Sequence, residues 1–204
     1  MSVDLELYLR TTFTLFIIID PIGYSLLFFS LTKDYEKKIR FQIAYRAFIF
    51  SAFILSFYLI FGNLLLGLIH VDIGAMKITG GLSLFKTAYT IIYEKKNEYT
   101  LLEGGEEDAL KLAIYPLSTG LLAGPGTLTT IIILSHEFTE IYEYLTMILG
   151  ILTILFLSLV FSLLTDYLNR IDKNILDILN ITIGILLSSL SVTFIINGVK
   201  MFFF

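Results

Sequence analysis

The sequence predicts an all-α membrane protein whose six transmembrane helices form two inverted three-helix repeats, with helices one and four interrupted. Three observations carry this reading. Of the 204 residues 56% are hydrophobic and only 16% charged, with a mean hydropathy of +0.85, whereas about a quarter of residues are charged in soluble chains. Apolar runs of about 20 residues, the length that crosses a bilayer as helix, recur between clusters of charge. Two proline-glycine elements, Asp20-Pro21-Ile22-Gly23 and Gly124-Pro125-Gly126, break two of these runs 104 residues apart, at matching points of two halves.

The first span, over 9–31, contains Asp20 and Pro21 and has no small-residue cleavage site after it. A retained span is therefore expected rather than a cleaved signal. Spans two and three cover 42–69 and 75–93; Lys77 stands at one end of the third, and Lys86 lies within snorkelling reach of the other. Spans four to six cover 113–135, 144–166 and 177–199. Little chain remains for loops, so a separate soluble domain is not expected. The whole of 1–204 reads as a single transmembrane domain: repeat one over 1–93, a linker over 94–112 with Gly104-Gly105 and acidic residues from Glu103 to Asp108, and repeat two over 113–204.

Three spans per repeat is an odd number, so the second repeat must enter the membrane from the opposite side to the first, giving an inverted pair. Short strings agree: Ile78-Thr79-Gly80-Gly81-Leu82 parallels Ile181-Thr182-Ile183-Gly184-Ile185 at an offset of 103. Charge sets the orientation. Lys33, Lys37, Lys38, Arg40, Lys95, Lys96, Lys111, Arg170 and Lys173 gather in the links of one face, while the other face carries Lys77, the terminal Arg10 and Lys200, and Glu137, Glu140 and Glu143. By the positive-inside rule both termini lie on the non-cytoplasmic side.

Several function classes are excluded or disfavoured. The chain has no cysteine, hence no disulfide, thiolate metal site or cysteine nucleophile. HExxH, GxSxG and P-loop motifs are missing and no Glu lies within a span, so the chain is not expected to be an enzyme or a lone ATP-driven pump. His70 and His136 share no ligand spacing, and no metal is assigned. Nucleic acid is not an expected partner.

The residues that remain point to the breaks. A proline inside a helix removes a backbone hydrogen bond and crowds the preceding turn, and a freed polar group in hydrocarbon costs several kcal/mol unless it is satisfied. Pro116 reads as a simple kink. At Pro21 and Pro125 the adjacent glycines, and Asp20, argue for true breaks, each starting a half-helix with free N–H groups and a positive dipole end suited to an anion. Interrupted helices at matching points of two repeats are where transporters bind solutes. Asp20 admits two roles: capping the half-helix that follows, or holding an ammonium or a coupling proton, as a carboxylate at mid-span suggests. Thr79, Gly80, Gly124, Thr127 and Thr182 add small or hydroxylated surfaces nearby, although such residues most often serve close helix packing.

Asp20-Pro21-Ile22-Gly23, the Arg40, Ile43-Ala44 and Arg46-Ala47 stretch, Gly80-Gly81, Pro116-Leu117, Leu121-Leu122-Ala123-Gly124-Pro125-Gly126 with Thr129-Thr130, and Phe194 to Gly198 together resemble the MarC family over nearly the whole chain. The chain departs from the family pattern at Tyr24, Leu26, Lys77, Thr79 and Gly120. The resemblance implies a six-span inner-membrane protein of the wider group of LysE-like exporters and, through SnatA-like members, transport of small neutral amino acids such as glycine or alanine. The expectation is a secondary transporter, an exporter working by alternating access without a cofactor and with protons as the coupling ion. Backbone N–H groups around Gly23, Gly126 and Thr127 would hold the substrate carboxylate, and Asp20, or the hydroxyls of Thr79 and Thr182, its ammonium. The alternatives are a pore lined by the two half-helices and a non-transporting membrane partner; an oligomer is compatible with each.

Overall fold

The computed structural model describes residues 5–93, 111–165 and 173–203, and its regular structure there is all helical. The helices are α1 (Leu5–Ile19), α2 (Pro21–Thr32), α3 (Lys37–Leu68), α4 (Ile73–Tyr93), α5 (Ala113–Leu122, wound as a π-helix), α6 (Pro125–Ser135), α7 (Ile141–Leu163) and α8 (Lys173–Phe203). Each expected span coincides with one helix or one broken pair. The stretches Leu5–Thr32, Lys37–Leu68, Ile141–Leu163 and Ile175–Phe203 are long and apolar enough to cross a membrane, and the pair Ala113–Leu122 with Pro125–Ser135, bent by 48°, makes a fifth. At about 1.5 Å per residue α4 is also long enough to cross, but Lys77, Lys86 and its small polar residues leave it outside that apolar set. Most of the expected linker lies outside the described residues, while Lys111 and Leu112 are already helical and Leu112 is buried.

The two breaks differ in kind. At the first, Asp20 adopts a left-handed conformation (φ 47°, ψ 71°), yet its N–H still donates to the Phe16 carbonyl at 3.0 Å and its carbonyl accepts from Tyr24 N–H at 2.8 Å, so α1 and α2 continue as one span. At the second, Gly124 is extended (φ −69°, ψ 168°) and the axis turns. Just upstream, Tyr115 is also extended (φ −138°, ψ 128°) ahead of Pro116, which makes the expected kink there part of a longer irregular segment.

Side chains sort the helices into two bodies. One core, including Leu15, Phe28, Ile43, Leu55, Leu117, Ile131 and Ile151, unites α1, α2, α3, α5, α6 and α7; the second joins Ile73, Leu84 and Ala88 of α4 with Leu187 and Phe194 of α8, touching the first body through Ile18 and Ile133. Large apolar side chains such as Phe53, Leu64 and Phe156 face outward, as a lipid-facing surface requires.

The α4–α8 pair is the most extensive helix contact. It is antiparallel and built on small residues, since lipid tails give apolar helices little reason to associate beyond close packing. A Cβ on Gly81 would stand 2.8 Å from Ser191 O and 3.1 Å from Ile195 N, and one on Gly198 would stand 2.6 Å from Gly74 O. The buried Ser191 hydroxyl donates to the Gly81 carbonyl at 2.8 Å across the pair. Gly81→Ala is therefore expected to lower stability by about 1–3 kcal/mol through overpacking, whereas Gly67→Ala, where nothing lies within 4 Å, serves as a neutral control. Thermal melting in detergent checks this; equal melting of the two variants rules the packing out.

Long-range bonds fix which helix ends lie together. Arg40 Nη2 donates to Thr165 Oγ1 at 2.9 Å, joining the start of α3 to the end of α7. Asn63 Nδ2 donates to Ser135 Oγ at 3.1 Å, joining the end of α3 to the end of α6. Gly80 packs on Thr129 and Gly126 on Leu84, so α4 runs against α6 and its Tyr93 end lies with the start of α3, where Lys37, Lys38 and Arg40 gather. Gly184 packs on Ile91 and Ile92, which brings the early part of α8 to that same basic end.

Candidate functional site

The two breaks meet at one cavity of about 560 Å³. Its walls come from the end of α1 and start of α2 (Ile18, Ile19, Asp20, Gly23, Tyr24, Leu27), from the second break (Gly120, Leu121, Gly124, Pro125, Gly126, Thr127), from one face of α4 (Ser83, Leu84, Lys86, Thr87, Thr90, Ile91), and from Asn180 of α8. The α4 residues used lie between Gly80 and Tyr93, so the cavity extends from the breaks toward the basic end of the molecule. Toward the opposite end, Ile133 of α6 and Phe194 of α8 belong to an apolar cluster that also takes in Ile18, Leu84, Ala88 and Leu187.

The half-helix starts offer unlike chemistry. Asp20 Oδ1 accepts from Gly23 N–H at 3.0 Å, so the α2 start is capped by its own carboxylate; Asp20 is only 8% exposed. The residue as a whole is largely shielded from bulk water, and low local dielectric strengthens any interaction its carboxylate makes with a cation in the cavity. At α6 Gly124 supplies no side-chain cap. The first N–H groups of that helix, at Gly126 and Thr127, thus carry the positive dipole end toward the cavity with no side-chain acceptor upon them. A Cβ on Gly126 would stand 2.5 Å from Leu84 Cδ2, which is why glycine lets backbone and α4 approach so closely here. A buried anion partner on one wall and free N–H donors on another suit a small zwitterion.

Of the residues singled out from sequence, Asp20, Gly23, Gly124, Pro125, Gly126 and Thr127 converge on this cavity. Pro21 is buried in the first turn of α2, behind the lining. Gly80 is buried in the α4–α6 contact, where a Cβ would stand 2.7 Å from Thr129 Oγ1. Thr79 and Thr182 face outward, and the Thr182 hydroxyl donates to the Ile178 carbonyl of its own helix at 2.8 Å. Thr129 and Thr130 likewise donate to Pro125 and Gly126 carbonyls. Hydroxyls within reach of a helical carbonyl bond back to it, so proximity to a break in sequence does not make them ligand groups.

Sequence reasoning missed the α4 wall and Asn180. The α4 signal was legible: Ser83, Lys86, Thr87 and Thr90 recur at three- and four-residue steps and so share one helix face. Asn180 follows Asn174 and Asp177 at three-residue steps and precedes Gly184 by four, a polar stripe at helical spacing that was also legible.

A family model described as "MarC family integral membrane protein" matches residues 5–203. The chain is 30% identical over 192 residues to the UPF0056 membrane protein YvbG of Bacillus subtilis, covering 92% of this chain and 91% of the relative. It is 32% identical over 199 residues to the UPF0056 membrane protein MJ0972 of Methanocaldococcus jannaschii, covering 96% and 87%, and 31% identical over 205 residues to MJ1677 of the same organism, covering 97% and 98%. No solved structure matches the chain. The chain belongs to the MarC family and is an integral membrane protein.

Proposed function

We propose that this MarC family protein is a secondary transporter that exports small neutral amino acids such as glycine or alanine across the inner membrane by alternating access. The observation that carries the reading is the meeting of two interrupted helices at one cavity, with a buried carboxylate at the first break and uncapped N–H groups at the second. The substrate carboxylate is held by Gly126 and Thr127 N–H groups, and its ammonium by Asp20, which also takes the coupling proton.

The architecture supports alternation. Exchanging α1 with α5, α2 with α6, α3 with α7 and α4 with α8 maps the α1–α7 contact onto α5–α3 and the α2–α7 contact onto α6–α3, while α3–α7 and α4–α8 map onto themselves. Gly81 against Ile195 becomes Gly184 against Ile92 at the same offset of 103 that the sequence strings show. These correspondences support a reading as two inverted repeats of three spans, with α4 the third span of the first and α8 the third of the second. Two pairs break the symmetry: α4 packs closely on α6 and α1 touches α8, but among the described residues no comparable contact joins α8 to α2 or α5 to α4. Residues of α2, α4, α5 and α8 line the cavity there. With the basic end cytoplasmic by the positive-inside rule and both termini on the other side, this conformation faces inward, and the alternate one closes α8 onto α2 and parts α4 from α6.

Protein in liposomes is expected to show saturable counterflow of labelled glycine or alanine. Gly126→Leu, whose Cβ alone would press to 2.5 Å from Leu84 Cδ2 and so force the α6 start away from α4, is expected to abolish it. Fast non-saturating flux would instead identify a pore, and no flux at all a non-transporting partner.

A further inference from the structure

We propose that Lys86 is a specificity-determining residue of the cavity, its ammonium charge selecting solutes that carry a carboxylate over cationic amines that lack one. The inference rests on the transport reading above. Among the described residues that line the cavity two are charged, Asp20 and Lys86. They stand on different walls, the carboxylate at the first break and the ammonium on α4. A charged side chain within a membrane-spanning helix is costly, and it serves either a function or a reach to the headgroup interface.

The place of Lys86 on its helix decides between those roles. With 3.6 residues per turn, Lys86, Thr90, Ser83 and Thr87 follow one another in that order round α4, over an arc of about 100°. All four line the cavity, and Lys86 is exposed. Beyond Lys86 the helix surface turns apolar, with Leu82, Tyr89 and Phe85 exposed. Lys86 thus ends a continuous polar strip of cavity wall, which a lysine serving only the interface would not need. With Asp20 ionised, the walls carry one formal charge of each sign, so a zwitterion meets no net repulsion. Take Lys86 away and only the carboxylate remains, which repels the carboxylate of an amino acid and favours a bare cation. Lys86 acts through the field in the cavity, which low-dielectric walls concentrate, and contact with the solute is left to the N–H groups of Gly126 and Thr127.

The test measures KM for glycine counterflow in liposomes, and inhibition of that counterflow by glycinamide, which keeps the ammonium and lacks the carboxylate. Lys86→Met removes the charge but keeps a long side chain of good helix propensity. It is expected to raise KM for glycine about tenfold, an effect that a unit charge exerts over roughly 10 Å at the effective dielectric near a protein surface. The same variant should be inhibited by glycinamide at lower concentration than the wild type, and loss of fold cannot move the two constants in opposite directions. Added salt should shrink the difference by screening. Lys86→Arg keeps the charge and should keep the wild-type ratio; Lys86→Gln serves if the methionine variant folds poorly. An unchanged ratio in the uncharged variants, a parallel rise of both constants, or a Lys86→Arg that behaves like Lys86→Met overturns the assignment while leaving transport intact. Wild-type protein with no saturable glycine exchange overturns the transport reading and this one with it, so the wild-type trace separates the two failures.

Discussion

Asp20→Asn is expected to reduce amino acid exchange by about tenfold to a hundredfold while leaving the fold nearly as stable as the wild type. The substitution separates the two roles that the position combines. Asparagine caps a helix start about as well as aspartate and is among the few residues that tolerate a left-handed backbone, here φ 47°. The acceptor to Gly23 N–H is therefore kept, and only the charge is lost. A hydrogen bond to a charged group contributes about 1.5–3 kcal/mol, which corresponds to that range of affinity. Asp20→Ala, by contrast, removes the cap and forces a Cβ-bearing residue without a local hydrogen bond into the left-handed region, at about 1–2 kcal/mol for each effect, so lost exchange there would be confounded with lost fold. Counterflow and melting measured on the same preparation decide the matter. If Asp20→Asn exchanges glycine like wild type, the carboxylate is a cap and nothing more; if counterflow survives but accumulation driven by a pH gradient is lost, Asp20 carries the proton and not the ammonium.

The helices were legible because hydrocarbon imposes length and apolarity on anything that crosses it, and both bounds and breaks could be read from charge clusters and proline-glycine pairs. α4 shows the limit of that signal. Lys86 and the small residues look marginal by hydropathy, yet they fit a helix that presents one face to a cavity and another to α8. The site was half legible. Pro21 and Pro125 marked where backbone is freed, and Asp20, Gly126 and Thr127 followed from adjacency. Thr79 and Thr182 did not, because their helices pair through the neighbouring glycines Gly81 and Gly184, which turns the threonines outward. Asn180 reaches the cavity only through where α8 is placed, a tertiary fact of which Asp177 and Gly184, at three- and four-residue steps from it, give a faint local trace.

The strongest expectation of the alternating scheme concerns two positions that the repeat makes equivalent. Ile91 of α4 and Phe194 of α8 stand 103 residues apart, as Gly81 and Gly184 do. Ile91 lines the open cavity, whereas Phe194 is 8% exposed and does not line it, being buried in the apolar cluster that α4 and α8 share. If α4 and α8 exchange roles, the two sites exchange accessibility. Because the chain contains no cysteine, single Ile91→Cys and Phe194→Cys variants report without background. A membrane-impermeant thiol reagent added at the basic face should label Ile91→Cys and not Phe194→Cys; added at the opposite face, it should label only Phe194→Cys, and only in the conformation that closes α8 onto α2. Conditions that raise one rate must lower the other, since both read a single two-state equilibrium. Ile91→Cys labelled equally from both faces would mean a continuous pore. A Phe194→Cys that stays unreactive while glycine exchanges would mean that the packing around Phe194 never opens, and that the solute leaves by a route other than the one the two breaks define.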